Sequence, residues 1–283
     1  MKTLENALQE GRKFLKEKQI ADSDIDAWYL LSFLFKMDRA RYLMHSSMPI
    51  SQVEYHEYME LVKKRGNHIP LQHITGEQEF MGLNFKVSKD VLIPRQDTEI
   101  LVQEVLKTAE GKNVLDMCTG SGCIIISLDK LGNIKSGVGV DISEAALKIA
   151  NENNTRLETK VQFLQSNLFE QVRGKYDIIV SNPPYIPTSD IETLMDEVKE
   201  HEPPIALDGK EDGLYFYRCI LSEGTEYMNP GGFIFFEIGW DQGMAVSRLL
   251  KEKGFQDIRI IKDLAGLDRV VTGRYVNQEE PFT

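Results

Sequence analysis

Asn182-Pro183-Pro184-Tyr185 closes an apolar run, Asp177-Ile178-Ile179-Val180-Ser181, and carries the sharpest chemistry in the 283-residue chain. Pro183 and Pro184 fix φ and donate no N–H, so the tetrapeptide is a stiff loop, and they bias Asn182 towards extended backbone. The Asn182 amide oxygen and the Pro183 carbonyl are two rigid acceptors. Together they can hold both hydrogens of a planar –NH2 group, aim its nitrogen at an electrophile and stabilise the positive charge that develops there. Tyr185 can cover the flat face of that group. The competing structural reading is a Pro-rich turn in which Asn182 caps the backbone and Tyr185 packs on the surface.

A second cluster lies upstream, where Val114-Leu115-Asp116-Met117 runs into Cys118-Thr119-Gly120-Ser121-Gly122 and then into a helical pattern. Gly120 and Gly122 permit positive φ and close approach to a ligand, and the helix that follows offers unpaired N–H groups. A dinucleotide turn needs a third glycine, but Ile125 fills that slot; a mononucleotide loop needs a lysine, and none follows Gly122. Asp116 opposes phosphates and favours a cationic ligand. Asp141 ends the next strand, 19 positions after Gly122, where a carboxylate can accept both hydroxyls of a ribose. Asn167, after the third strand, can hydrogen-bond an adenine amino group, with Ile142 and Leu168 flanking the ring. These features on successive strand ends describe S-adenosylmethionine, with S-adenosylhomocysteine as product. Its sulfonium supplies the driving force, so the nitrogen needs no strong base and sheds its proton late, to water. Without a ligand, the same residues make an α/β turn with capping side chains.

The elements that must hold these clusters are legible as periodicity. Residues 1–66 read as helices, with Asp24 and Ser51 as caps and Gly66 as a stop. Pro70 to Gly76 reads as a linker, and Glu79 to Val87 as a hairpin turning near Gly82 and Asn84. Asp97 or Thr98 can start a helix. From Asn113 the pattern alternates. Strands are expected at 114–117, 138–140, 161–164, 176–181, 233–237, 258–261 and 269–271, and helices at 123–131, 143–154, 214–228 and 242–253. Such alternation implies an α/β fold with a mostly parallel sheet covered on both faces. Residues 263–268 are too few for a crossover helix, so the last two strands form an antiparallel pair.

Composition narrows the class. Hydrophobic residues make up 42% and charged residues 27%, which suits a globular protein and excludes collagen-like or long disordered chains. No signal peptide and no apolar stretch of bilayer length is read, so no membrane is expected. The 3 Cys residues form no Cys-x-x-Cys pair, which argues against disulfides and structural zinc and for a reduced, cytoplasmic setting. His45, His56, His68, His73 and His201 show no metal-ligand spacing, so no metal is expected. Residues 1–76 hold 11 basic and 10 acidic side chains, whereas 77–283 hold 22 and 34. That acidity disfavours direct contact with nucleic acid. Phe80, Trp28 and Trp240 read as packing residues, Arg95 as a solvated group near a helix start, and Glu197 and Glu202 as members of a solvated loop.

Further segments extend the likeness to a known family. They are Glu79-Phe80-Met81-Gly82-Leu83, Val91-Leu92-Ile93-Pro94-Arg95, Ser181 to Ile186, Glu202-Pro203, Asp212-Gly213-Leu214, Asn229-Pro230-Gly231-Gly232, Glu237-Ile238-Gly239, and Lys262 to Gly266 with Asp268 to Val271. Jointly the chain resembles the HemK/PrmC-type protein-(glutamine-N5) methyltransferases of peptide chain release factors, over nearly its whole length. The resemblance implies a class I S-adenosylmethionine-dependent, Rossmann-like methyltransferase fold. It implies methylation of the glutamine amide in the Gly-Gly-Gln loop of release factors, hence a role at translation termination. It puts the glycine motif on Cys118 to Gly122, the ribose acid on Asp141 and the glutamine-binding motif on Asn182 to Tyr185. Cys118 stands where the family usually has glycine, Asn167 where Asp is common, and Gln96-Asp97 where Pro-Glu is usual. The expected layout is a helical N-terminal domain over 1–76, a hairpin and linker over 77–95, and a catalytic domain over 96–283; the near-neutral charge of the N-terminal helices and their place ahead of the catalytic fold point to those helices and the hairpin as the substrate grip. The alternatives are a ribosomal-protein glutamine methyltransferase, a nucleic-acid base amino methyltransferase, and a silent module that binds S-adenosylmethionine.

Overall fold

The computed structural model describes residues 2–276. These form two compact units, one built from the residues up to Glu77 together with Met195–His201, the other from Gln78–Leu194 and from Glu202 onward.

The first unit contains β1 (Lys2–Thr3), α1 (Leu4–Glu17), α2 (Ser23–Phe35), α3 (Arg39–His45), β2 (Pro49–Ile50), α4 (Gln52–Gly66) and α5 (Leu71–Thr75). Capping boxes open α1 at Thr3 with Asn6 and α4 at Ser51 with Glu54, each satisfying two helix-end N–H groups. α2 starts at Ser23, ahead of the expected Asp24 cap, so that Asp24 and Asp26 fall in its first turn, where the helix dipole favours acids. α5 occupies the stretch read as a linker, between Pro70 and a left-handed Gly76. The core gathers Leu4, Leu8 and Leu15 of α1, Leu30 and Leu31 of α2, and Tyr58 and Val62 of α4. Beside it, buried Arg65 donates from Nε to Asp26 and from Nη2 to Glu197, both at 2.6 Å. Glu197 is therefore ion-paired and does not sit in a solvated loop; removing one partner of the fully buried Arg65–Asp26 pair costs about 3–5 kcal/mol.

The hairpin of the second part of the chain joins β3 (Glu77–Phe80) to β4 (Leu83–Lys86) through Met81 and Gly82. Both have positive φ, +54° and +72°, as a two-residue hairpin turn requires. Then come α6 (Gln96–Leu106), β5 (Asn113–Met117), α7 (Cys123–Gly132), β6 (Ser136–Asp141), α8 (Glu144–Arg156), β7 (Gln162–Gln165), β8 (Tyr176–Ser181), the one-turn α9 (Asp196–Lys199), α10 (Tyr215–Glu223), β9 (Met228–Glu237), α11 (Gly243–Glu252), β10 (Phe255–Lys262) and β11 (Asp268–Tyr275). Seven strands form one sheet in the order β10-β11-β9-β8-β5-β6-β7. The pairs from β9 across to β7 are parallel, and β11 runs antiparallel to both neighbours, as the short final loop requires.

Period-two alternation covers both faces. Ile178 and Val180 pack with Leu101 and Val105 of α6 and Ile125 of α7. Ile179 packs on the opposite face with Tyr217 and Ile220 of α10 and Val246 of α11. From β5 the chain moves to β6 and β7, then returns to β8 and β9 on the other side. The carboxyl ends of β5 and β8 therefore bound the topological switch point, where open α/β sheets bind ligands. Several boundaries shift from the expectation, two of them by five residues. The helix expected to reach 228 ends at Glu223 and tightens into a 3-10 turn, Gly224–Tyr227. β9 begins at Met228 because Asn229-Pro230-Gly231-Gly232 bulges within the strand opposite Asp177, where Asn229 Nδ2 donates to Asp177 at 2.8 Å. Among the described residues no helix is long and apolar enough to cross a membrane.

Candidate functional site

A cavity of about 310 Å³ opens at the switch point, within the usual range for small-molecule sites. Its wall takes Cys118, Thr119, Gly120 and Ser121 from the turn after β5, Asp141 and Ile142 from the end of β6, Asn167 and Leu168 from beyond β7, and Asn182 and Pro184 from beyond β8. Gly122, Pro183 and Tyr185 are not on that wall. Asp116 is not on it either. The sequence suggested that Asp116 faces a cation; it lies instead beneath the turn, 0% exposed, and accepts from Thr119 Oγ1 at 2.5 Å. Burial pushes its pKa up to about 7.

The turn owes its shape to backbone conformation. Cys118, Gly120 and Gly122 all have positive φ, at +63°, +55° and +78°. A Cβ on Gly122 would lie 3.0 Å from both Ile126 Cδ1 and Phe163 Cζ, whereas one on Gly120 would meet nothing within 4 Å. Gly122 thus serves close packing, and Gly120 leaves room on the cavity side. Asp141 links turn to strand: Oδ2 accepts from the Gly120 N–H and Oδ1 from the Ser143 N–H, both at 2.9 Å. Burial raises its pKa, and these N–H groups oppose the rise. Each carboxylate oxygen keeps a lone pair for a ligand hydroxyl. Asn167 donates from Nδ2 to Glu170 at 2.8 Å, which leaves its amide oxygen as an acceptor at the wall.

The loop after β8 is held by side chains from distant segments. Ser181 pairs with Met117 of β5 and with Phe236 of β9, so Cys118, Asn182 and Glu237 follow side by side at three adjacent strand ends. The Ser181 hydroxyl donates to the Met117 carbonyl at 2.6 Å and locks the two strands. Asn182 donates from Nδ2 to Thr98 Oγ1 at 3.4 Å, which turns its amide oxygen away from α6. Pro183 and Pro184 are buried. Tyr185 packs against the core beneath the loop, and its hydroxyl donates to Glu237 Oε1 at 3.4 Å. Burial raises the Tyr185 pKa, and the neighbouring carboxylate adds to the rise. The Tyr185 carbonyl accepts from Gln242 Nε2 at 3.0 Å, while Gln242 Oε1 accepts from the Gly239 N–H at 2.9 Å. Glu237 is 1% exposed. Burial pushes its pKa up to about 7, opposed by the Thr98 hydroxyl and the Arg269 charge.

Sequence reasoning did not single out Thr98, Glu237 or Gln242 as parts of a site. For Glu237 a signal exists, an acid ending the apolar run Phe233 to Phe236. Thr98 and Gln242 give none, because their partners lie 84 and 57 positions away. Lys210, Tyr215 and Phe216 also reach the wall unannounced. Glu202 corrects the expectation of a solvated group, being 3% exposed and paired with Arg95, whereas Arg95 keeps 41% of its side chain exposed, as expected. Burial raises the Glu202 pKa and Arg95 opposes it. Trp28 and Phe80 pack in their cores as expected, but Trp240 does not, being 63% exposed.

Comparison with known proteins gives the same frame. Residues 6–76 match the family model described as PrmC N-terminal domain, and residues 95–200 match the one described as Methyltransferase small domain. The Release factor glutamine methyltransferase of Clostridium botulinum is 43% identical over 279 residues, covering 96% of this chain and 99% of that protein. Its namesake from Geobacter sulfurreducens is 41% identical over 274 residues, covering 96% of each. Among solved structures, a methyltransferase from Pyrococcus furiosus superposes with a TM-score of 0.54 at 17% identity, over 70% of this chain and 91% of that one, a likeness of fold. On the strength of full-length similarity to those relatives, the chain belongs to the release factor glutamine methyltransferase family.

Proposed function

We propose that this protein transfers a methyl group from S-adenosylmethionine to the side-chain nitrogen of the glutamine in the Gly-Gly-Gln loop of peptide chain release factors. The observation that carries this reading is that Asn182 and the glycine turn face one cavity, with the Asn182 amide nitrogen already engaged by Thr98. Its oxygen is then free to accept. The names of the relatives support the choice of substrate.

The residues present fit the methyl donor. Gly120 leaves open space where a side chain would stand, Asp141 keeps lone pairs for the ribose hydroxyls, and Ile142 and Leu168 offer apolar surface to the adenine beside Asn167. Bound there, S-adenosylmethionine supplies an electrophilic methyl whose bonding pair stays with sulfur, giving S-adenosylhomocysteine. Asn182 Oδ1 and, although Pro183 lies off the cavity wall before substrate enters, the Pro183 carbonyl take the two hydrogens of the glutamine –NH2 and hold its nitrogen for in-line attack. As the N–C bond forms, both acceptors stabilise the growing positive charge. One proton then leaves the nitrogen for water. Pro184 stiffens the loop, and Tyr185 anchors it from below.

Substrate capture is assigned to the helical N-terminal unit, whose surface exposes Tyr29, Leu43, Met44 and Val53. Replacing Leu43 and Met44 by serine should raise KM for the release factor far more than it lowers kcat. The three free thiols, Cys118, Cys123 and Cys219, suit work in a reducing cytoplasm. The central test supplies labelled S-adenosylmethionine with release factor, ribosomal protein or duplex DNA in separate reactions. Label in the release factor that vanishes when the Gly-Gly-Gln glutamine becomes alanine supports the proposal. Label in ribosomal protein or DNA alone overturns it.

A further inference from the structure

We propose that Thr98 and Glu237 are positioning residues that set which end of the Asn182 amide faces the substrate. This deepens the reading above and rests on it. An asparagine side chain is nearly symmetric in shape but not in chemistry: turned over, Asn182 would present –NH2 to the –NH2 it must hold. Thr98 prevents that turn. Its Oγ1 accepts from Asn182 Nδ2 at 3.4 Å, a distance that leaves room to tighten when substrate binds. Having accepted, the hydroxyl still has its own proton to give.

Glu237 is the group placed to take it, since the nearby Thr98 hydroxyl favours its charged carboxylate. The pairing of Ser181 with Phe236 puts Asn182 and Glu237 level at the ends of β8 and β9, and Thr98 faces both from the first turn of α6. Thr98 is 2% exposed and Glu237 is 1% exposed. Glu237 Oε2 has no hydrogen-bond partner in the described structure. A carboxyl left half-satisfied at the end of an apolar strand costs stability, and Gln or Leu there would cost less. The cost is intelligible if the charge has work to do. Glu237 polarises the Thr98 hydroxyl, Thr98 polarises the Asn182 amide, and the Asn182 oxygen becomes a stronger acceptor as the substrate nitrogen turns positive.

Charged and titratable groups surround Glu237 from each neighbouring element. Arg269 approaches from β11, Asp97 from α6 and Tyr185 from the loop after β8. Tyr217 of α10 bonds the Glu237 carbonyl at 2.8 Å, and Cys123 stands at the start of α7. With its pKa near 7, Glu237 is ionised above that pH and neutral below it. The relay acts through the ionised form, so kcat rises as pH rises through about 7.

The experiment compares the full-length enzyme with Thr98→Val, Thr98→Ser and Glu237→Gln. It reads kcat and KM for a release factor, methyl-donor affinity by calorimetry, and the pH profile of kcat. Thr98→Val should lower kcat about 10- to 100-fold, with methyl-donor affinity and KM within about threefold. Thr98→Ser should restore kcat to within about threefold of wild type. Glu237→Gln should lower kcat and remove its dependence on pH near 7. If Thr98→Val fails to bind methyl donor, Glu237→Gln decides alone. Unchanged kcat in Thr98→Val, equal damage from Thr98→Ser, or a pH limb retained in Glu237→Gln each overturns the relay. A wild-type enzyme that labels no glutamine overturns the underlying reaction instead, so the two failures are distinct.

Discussion

The two walls of the cavity are made rigid by different means. The turn after β5 takes its shape mostly from within, by three positive-φ residues in five positions, a Thr119-to-Asp116 bond three residues apart and a helix that begins at once, with Asp141 of β6 and Asn153 of α8 bonding its backbone from beside it. The loop after β8 is fixed from outside. Thr98, Glu237 and Gln242 come from three other elements, and only the two prolines act locally. The difference follows from what each wall has to do. A turn that cradles a ligand with its backbone needs space and unusual dihedrals, which glycine provides. A loop that presents one amide oxygen needs a side chain locked in one orientation, and only other side chains can do that. Damage to the first wall should therefore appear in binding and stability, and damage to the second in turnover.

The largest expected effect tests that division directly. On the proposed reaction, Asn182→Ala removes an acceptor aimed at developing charge and should lower kcat by roughly 10²–10³-fold, the scale of losing one such contact. S-adenosylmethionine affinity should stay within a few-fold, because the turn is untouched. Equal losses in kcat and in methyl-donor affinity would place Asn182 on the first wall and erase the contrast. Next comes Gly122→Ala. The left-handed backbone costs a residue with Cβ about 1–2 kcal/mol, and crowding against Ile126 and Phe163 at 3.0 Å adds about 1–3 kcal/mol. Urea unfolding should show a loss near the sum of these. Gly120→Ala should lose only the first part in stability, yet weaken methyl-donor binding more, since its Cβ enters the cavity. Reversal of that order would mean the open side of the turn is not the ligand side.

The same contrast sets what was legible in the sequence. The first wall could be read because most of its causes are local: Gly120 and Gly122 sit two residues apart directly after β5, Asp141 ends the next strand, and positive φ has a compositional signature. The strands were legible for a similar reason, since Ile178-Ile179-Val180 packs on both faces and must be continuously apolar. Asn182 to Tyr185 was legible as a loop, but its supports were not. Gln242 reads as an ordinary polar residue at a helix start, and only the sheet order brings it to Tyr185. Glu202, 107 positions from Arg95, looks solvated alone and is buried only when the fold sets it against that half-exposed guanidinium. Short elements were hidden for another reason. α3 and the one-turn segments from Thr188 to Ala206 are too brief to show a helical period.

Gln242→Ala sharpens the comparison at the outer support. It leaves the Tyr185 carbonyl and the Gly239 N–H without their partner. A buried group so exposed costs about 1–3 kcal/mol, and the loop it releases carries Asn182. Stability should fall by that amount, with kcat falling and methyl-donor affinity nearly constant. Loss of methyl-donor binding at unchanged kcat would show that the two walls are one mechanical unit.

Cys118→Gly should have the smallest effect, because two contributions oppose each other. Cys118 holds φ at +63°, and glycine relieves about 1–2 kcal/mol of left-handed strain. Glycine also loses about 0.5–1 kcal/mol of backbone entropy on folding, and the substitution gives up the packing of a thiol that touches the core. The balance should lie within about 1 kcal/mol of zero, measured as the shift in urea midpoint at constant slope. Methyl-donor affinity should hold or improve, since the thiol stands at the cavity wall and glycine widens the approach. A loss above about 2 kcal/mol would mean that packing, not backbone conformation, fixes the start of this turn, and the first wall would then resemble the second.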